Sequence, residues 1–446
     1  MNDKKPNVIV FFTDQQRWDT TGVHGNPLGL TPNFDWMAMN GTHLYHSFTN
    51  QPVCGPARAC LQTGMYGTST GCFRNNIPLP DTVPTLAESF NRHGYDTAYI
   101  GKWHLAATKT EPVPVERRGG YREWLAADAL ELMSDAYHTV VYNKENEQVK
   151  LPGYRVDALT DAAIRYIDQR DPEKPFFLFL SLLEPHQQNY NDDYSAPAIY
   201  KDSYHSAWVP PDLAALGGNA HQKLGGYYGM VKRIDEALGR LLDTLRSLDL
   251  IDETIVLFTS DHACHFNTRS NEYKRSCHES SIRVPTAIIG PGFEGGGRRR
   301  ELTGIVDLPP TLLEAAGIER PEAMEGRSLM PLLNRQQTEW RDELFVQISE
   351  SQVGRALRTP KWKYAVHAPG VHPREESGSQ HYVEQFLYDL EADPYELMNL
   401  AGVPAFSDIA EQLRTRLAER IREVEGIDCT IAPAEEKILH LRKPGL

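Results

Sequence analysis

The sequence predicts an α/β fold: a large, mainly parallel sheet sandwiched by helices, with a smaller C-terminal antiparallel sheet and a closing helix. Three observations predict it. Short apolar runs alternate with stretches of helical period, the pattern of strand–helix–strand units. The runs are continuously apolar, as strands covered on both faces are. Beyond about residue 335 shorter strands follow one another directly, the mark of antiparallel pairing. At 446 residues the chain exceeds the roughly 250–300 that a single core sustains. Two units are therefore expected, an α/β domain over 1–335 and an α+β subdomain over 336–446.

In chain order, NVIVFFTD (Asn7 to Asp14) reads as a buried strand ending in a carboxylate. In TPNFDWMAMNG, Trp36 and Met37 read as the core face of a helix. Thr82 to Gly94 reads as a helix with Thr82 as its N-cap. YDTAYIGKWHL, from Tyr95, is the second strand, and Val156 to Gln169 an amphipathic helix. PFFLFLSLLEPH, from Pro175, is the third strand, Gly225 to Leu248 a helix, TIVLFTSDH, from Thr254, the fourth strand and VPTAIIGPG, from Val284, the fifth. ELFVQISE, VGRALRTPKWKYAVH and FLYDLEADP read as antiparallel strands, and a closing helix runs from Asp408 with Ser407 as N-cap. Sites in parallel sheets lie at the carboxyl ends of strands. Four of these strands end in TDQQR, GKWH, EPH and SDH, so the ionisable residues gather on one edge.

The formal net charge is -14, which excludes a nucleic-acid or anionic-membrane partner, since either wants a basic surface. An anionic substrate would need a local cationic site. The N-terminal apolar run is too short for a signal sequence and no stretch is long enough to span a membrane. As written the chain reads as cytoplasmic, or as periplasmic or secreted if a leader has been removed. The cysteines show no CxxC spacing, which argues against zinc ribbons and thioredoxin-like chemistry. The basic run Gly297 to Arg300 reads as a solvated hairpin tip able to contact an anionic polymer.

The most informative segment is Cys54-Gly55-Pro56-Ala57-Arg58, continuing as ARACLQTGMYGTSTG. With NVIVFFTDQQRWD, TPNFDWMAMNG, GKWHL, EPH, SDH, YKRSCHESSIRVP and LYDLEADPYELMNL in order, nearly the whole chain resembles the formylglycine-dependent (type I) sulfatases of the alkaline phosphatase superfamily. The resemblance implies that a separate formylglycine-generating enzyme oxidises Cys54 and that residues 1–335 form the catalytic domain. A formylglycine hydrate is a geminal diol: one hydroxyl attacks sulfur with help from a metal, and the other then expels sulfate and restores the aldehyde. By the same resemblance Arg58 orients the hydrate, and Asp14, Gln15, Cys54, Asp261 and His262 hold one divalent metal. Gln15 stands where the commoner pattern has aspartate and His262 where many members have asparagine. Both resemble the phosphonate monoester hydrolase and choline-sulfatase branches. Calcium is expected on family frequency and favours all-oxygen shells; imidazole suits manganese better, and magnesium is a third option.

Lys102 and His104 lie at i and i+2 of a strand and so share a face. The resemblance implies that Lys102 contacts sulfate and that His104 takes the diol proton. Lys274 and His186 resemble the pair flanking the leaving-group oxygen, with His186 expected to give the proton and Lys274 to supply charge. Asn76, Arg74 and His278 are expected at the substrate. Glu184, Gln187 and Glu279 sit near motif residues, where a structural role is equally expected. Tyr364, His367 and His372 are candidates for a pocket wall. The function expected is hydrolysis of a small-molecule or oligosaccharide sulfate ester, with a phosphonate monoester or phosphodiester hydrolase as the alternative. A catalytically dead carbohydrate-binding protein should have lost Cys54, a metal carboxylate or a cation, and none is missing. A homo-oligomer is compatible with all of this.

Overall fold

The structure, a computed structural model, describes residues 5–205, 207–335 and 339–436. The expected boundary after residue 335 meets residues 336–338, which lie outside the described residues. The strands of the first unit are β1 (Asn7–Thr13), β2 (Thr42–Leu44), β3 (Ser47–Phe48), β4 (Asp96–Lys102), β5 (Glu123–Ala127), β6 (Thr139–Asn143), β7 (Gln148–Leu151), β8 (Phe176–Ser181), β9 (Thr254–Ser260), β10 (Ala287–Ile289), β11 (Gly297–Arg299) and β12 (Thr303–Gly304). Among the described residues ten of them form one sheet, ordered β11-β2-β10-β9-β1-β8-β4-β5-β6-β7, while β3 and β12 pair separately. β1, β4, β5, β8 and β9 run parallel. β10 is antiparallel to both β9 and β2, so β2 and β11 return to the common direction.

The continuous apolar runs are explained by two covered faces. Ile9, Phe11, Leu178, Leu180, Val256 and Phe258 pack beneath the helices Pro32–Asn40, Arg155–Gln169 and Ala220–Ser247. Val8, Val10, Phe12, Tyr99, Phe177 and Phe179 join a second core that takes in Cys54–Thr63, Leu86–Arg92 and Leu308–Ala315 and continues into the C-terminal unit. There β13 (Leu344–Ile348), β14 (Gly354–Arg358), β15 (Trp362–His367) and β16 (His381–Asp389) pair antiparallel, and β17 (Thr430–Ala432) adds parallel to β16. The closing helix Ser407–Glu425 buries Leu413, Leu417 and Ile421, and Gly426 ends it in the left-handed conformation that glycine tolerates best. No described helix is long and apolar enough to cross a membrane.

Several local expectations change. Thr85, not Thr82, caps the helix: its hydroxyl accepts from the Glu88 amide (3.2 Å) while Glu88 accepts from the Thr85 amide (3.1 Å). Pro84 disfavours helical geometry at Val83, which closes a turn on the Pro80 carbonyl (3.2 Å) instead, and so delays the helix start. Phe406, led in by the turn Pro404–Phe406, holds the cap position of the closing helix, and Ser407 is already its first residue. Met37 is core, but Trp36 is 37% exposed beneath the Arg246 guanidinium. The basic run is the edge strand β11 rather than a hairpin tip. β5 to β7 were not foreseen. The Glu-Trp-Leu-Ala-Ala sequence of β5 favours helix locally, and pairing with the neighbouring β4 overrides it.

Candidate active site

The carboxyl ends of β1, β4, β5, β8 and β9 converge on one buried cluster. Asp14 follows β1 and Asp261 follows β9, and their turns are interlocked. The Gln15 amide donates to Asp261 Oδ1 (3.0 Å) and the Asp261 amide to the Thr13 carbonyl (3.2 Å). Gln15 takes φ +68° to make this turn, a conformation that costs a non-glycine residue energy and clusters at functional sites. Gly101, at φ +111°, lets β4 meet β8 just before Lys102; a Cβ there would lie 1.9 Å from the Ser181 carbonyl oxygen.

Cys54 opens the helix Cys54–Thr63 and is buried. Its Sγ lies 2.9 Å from Lys274 Nζ, 3.2 Å from His262 Nε2 and 3.7 Å from Asp14 Oδ1. One turn on, Arg58 donates to Ser181 Oγ (2.7 Å), the Lys102 carbonyl (2.9 Å), Asp14 Oδ2 (3.0 Å) and Asp261 Oδ2 (3.3 Å). Lys102 Nζ bridges Asp14 Oδ2 (2.8 Å) and Glu131 Oε1 (3.1 Å). Burial pushes the Cys54 thiol up, but Lys102 and Lys274, with a hydrogen bond from His104, hold it well below its usual range. The site stabilises an anion at position 54.

Burial and Cys54 push Asp14 up, yet Lys102 and Arg58 hold its carboxyl low. Burial and the Asp14 charge raise Asp261. Two buried carboxylates at odds in this way suit a shared cation. Ligand atoms of Asp14, Cys54, Asp261 and His262 all lie within 4.8 Å of one another. The Gln15 Nε2 is anchored by Gln187 Oε1 (2.7 Å) and Tyr194 OH (3.2 Å), and its Oε1 is buried without a partner. His262 Nδ1 lies 3.0 Å from the Ala263 carbonyl, which fixes the tautomer that leaves Nε2 a bare acceptor. The donor set therefore fits a divalent ion.

His104 does not share the strand of Lys102. β4 ends at Lys102, and His104 sits in a left-handed turn (φ +60°) held by its amide on the Asp128 carbonyl (2.8 Å). The Asp128 carboxylate gathers the amides of Ala106 (2.9 Å), Thr108 (2.8 Å) and Lys109 (3.1 Å). His186 Nδ1 is 2.6 Å from the Gln187 carbonyl, so its Nε2 accepts from Lys274 Nζ (3.2 Å). Burial, then Lys274, lowers the His186 pKa.

The expected substrate residues are less united. His278 is buried, with Nε2 on Tyr388 OH (3.1 Å) and Nδ1 on Ser276 Oγ (3.2 Å); both ring nitrogens are committed inside the protein and none is left for substrate. Arg74 lies over the Phe73 ring and bonds the Asn75 carbonyl (3.0 Å). Asn76 is exposed at φ +61°. Its neighbour Asn75, which sequence reasoning passed over, accepts from the Gly55 amide (2.8 Å) beside Cys54. Glu184 pairs with Arg155 (2.8 Å), and Glu279 with Lys363 (2.8 Å). Tyr364 is buried on Glu384 (3.1 Å), which takes it out of a pocket wall, while His367 is half-buried and His372 exposed. Glu131, Asp128 and Glu350 were also missed. The first two follow the unread strand β5, where the strand-end rule would have found them.

The family model "Sulfatase" matches residues 6–318, and a model of the C-terminal region of N-sulphoglucosamine sulphohydrolase matches residues 271–423. An ulvan-active sulfatase of Formosa agariphila is 32% identical over 440 residues, 94% of this chain and 82% of that protein. An N-acetylglucosamine-6-O-sulfatase of Bacteroides thetaiotaomicron is 24% identical over 95% of this chain and 88% of its own length. The solved structure of a candidate sulfatase from Bacteroides fragilis superposes with a TM-score of 0.82 at 25% identity, covering 95% of this chain and 97% of that one.

Proposed function

The chain belongs to the sulfatase family, and from that premise we propose that Cys54, matured to formylglycine, is the nucleophile of a hydrolase that cuts sulfate esters of carbohydrates. The carbohydrate part rests on the relatives, one ulvan-active and one acting on N-acetylglucosamine-6-O-sulfate by name. The observation that carries the reading is the ring of cations around position 54. Arg58 and Lys102 pair with Asp14, Asp261 and Glu131, and Lys274 stands against Cys54, so the formal charges of these three cations and three carboxylates cancel. A divalent ion then leaves a surplus of two positive charges, which matches the sulfate released.

Asp14, Gln15, Asp261 and His262, with position 54, would hold the ion. When bound it supplies Lewis-acid polarisation and positive charge at the reacting centre. The formylglycine hydrate supplies a hydroxyl nucleophile and an internal route for expelling sulfate. Arg58, locked from four sides, fixes the orientation of residue 54. Lys102 and Lys274 meet the charge of the sulfate group. His104, set by Asp128, takes the proton when sulfate leaves. Lys274, beside neutral His186, gives the leaving oxygen its proton.

The test uses protein made with a formylglycine-generating enzyme, with peptide mass spectrometry across Cys54. Aryl sulfate and N-acetylglucosamine-6-sulfate are compared with a phenylphosphonate ester, with and without chelator. Sulfate turnover lost on chelation and restored by a divalent metal is expected. Faster turnover of the phosphonate ester would move the enzyme to the phosphonate hydrolase branch, and an unmodified Cys54 in active protein would remove the formylglycine mechanism.

A further inference from the structure

The unabsorbed feature of the sequence is the basic run of β11. Arg298 and Arg300 stand on the same side of this edge strand, as alternation requires, and both are exposed. Their guanidinium carbons lie 5.0 Å and 5.5 Å from the centroid of the Tyr45 ring, and that of Arg283 lies 4.9 Å from it. The three cations thus stand within about 10 Å of one another, comparable to the Debye length of about 8 Å at physiological salt, and act as one potential. Arg283 is partly offset by Glu279 at 3.7 Å. Among the described residues no carboxylate pairs with Arg298 or Arg300. Burial, then Arg298 and Arg283, press His43 down to about 4, and His46, burial first and then Arg283 and Arg358, likewise to about 4. A chain of net charge -14 keeps here an uncompensated cationic patch.

The topology gives the patch its meaning. β2 and β11 run in the direction of β9 and β1, so Tyr45 and Arg300, just past their ends, lie on the edge that carries Cys54. Three strand spacings separate β11 from β9 in the order β11-β2-β10-β9, roughly 14 Å at about 4.8 Å each. An extended anionic chain with one sulfate at the nucleophile spans that distance. Tyr45 with Arg298 and Arg300 over its ring offers a flat aromatic body and two guanidiniums, which suit paired contacts to sulfate or carboxylate oxygens.

We infer that Tyr45, Arg298 and Arg300, backed by the buried Arg283 that donates to the Tyr45 carbonyl (2.8 Å), form a second, non-catalytic binding surface for a sulfated polysaccharide, which seats the polymer while one of its sulfates is cut. This rests on the sulfated-carbohydrate reading above. The test compares wild type, Arg298→Glu/Arg300→Glu and the milder Arg298→Gln/Arg300→Gln, each checked by thermal unfolding, for heparin binding across a salt series and for aryl sulfate turnover. The surface predicts at least a tenfold weaker heparin affinity and a shallower salt dependence in the glutamate pair, smaller losses in the glutamine pair, and aryl sulfate kcat/KM within twofold of wild type in both. Unchanged heparin affinity in both folded variants would overturn it. So would duplex DNA bound as tightly as heparin, which would make the patch indifferent to its polyanion. If wild type fails to turn over aryl sulfate, the hydrolase reading falls, while heparin binding still judges the surface on its own.

Discussion

Lys363 and Lys274 are both buried lysines, and they keep different company. Lys363, on β15, sits between Glu279 (2.8 Å) and Glu396 (2.7 Å), with Arg358 closing on Glu279 at 3.3 Å. Lys274 meets Cys54, His186 and His262 and, among the described residues, no carboxylate. The first cluster is closed within the protein and ties the loop around Glu279 to the C-terminal sheet. The second leaves its charge unanswered at the position where an anion is to react. Burial alone does not separate a structural charge from a functional one; what separates them is whether the protein supplies the counter-charge.

The largest effect should follow from opening the closed cluster. Lys363→Met leaves Glu279 and Glu396 buried without their shared cation, and removing one partner of a buried pair costs about 3–5 kcal/mol. Denaturant unfolding should show that loss, while kcat/KM per folded molecule stays within twofold. Burial raises Glu279, but Lys363, Arg358 and Arg283 together hold it well below the usual glutamate range. A depressed carboxylate contributes stability that is present above its unfolded pKa of about 4.3 and is lost as pH falls below it. The acid limb of stability should therefore be shallower in Lys363→Met than in wild type. A collapse of kcat/KM instead would break the comparison by making this network part of the site.

Next comes Lys274→Met, which should do the opposite. Removing one preorganised charge from a reacting centre costs about 10²–10³ in rate. Because no carboxylate is orphaned, the melting temperature should hold or rise, as sites strained for function allow. Steady-state kinetics beside thermal unfolding decides it. A large loss of stability with intact kcat would place Lys274 among the structural lysines and leave His186 as the proton donor.

Both clusters also show what the sequence makes legible. Asp14, Cys54, Arg58, Lys102, Asp261 and Lys274 could be read because each sits in a short motif at a strand end or helix start, where local chain geometry decides placement. Asp128 and Glu131 were lost with β5, whose Glu-Trp-Leu-Ala-Ala sequence is a strand only because β4 and β6 flank it. His104 was named for the wrong geometry: a left-handed turn, not strand alternation, sets it. The inter-sheet network could not be read, because Glu279 and Lys363 are 84 residues apart and meet only when the second sheet docks.

One residue joins the two regions and gives the finest test. Glu350 follows β13 at φ +63°, with its side chain 4% exposed. One oxygen accepts from the Asn75 amide (2.7 Å), whose side chain holds Gly55 beside Cys54; the other meets Arg275 (2.7 Å), next to Lys274. The C-terminal sheet thereby grips both flanks of the nucleophile through a single carboxylate. Glu350→Gln keeps an acceptor for Asn75 and drops the charge facing Arg275, a charged hydrogen bond worth about 1.5–3 kcal/mol. Since Glu350 touches no reacting atom, only part of that should reach the chemistry, about tenfold in kcat or roughly 1.4 kcal/mol, with KM for aryl sulfate nearly unchanged. Glu350→Asp, which restores the charge, should recover part of it. If both variants lose only stability and keep kcat, the C-terminal sheet is packing and no more, and the division drawn between Lys363 and Lys274 then runs along the sheet boundary as well.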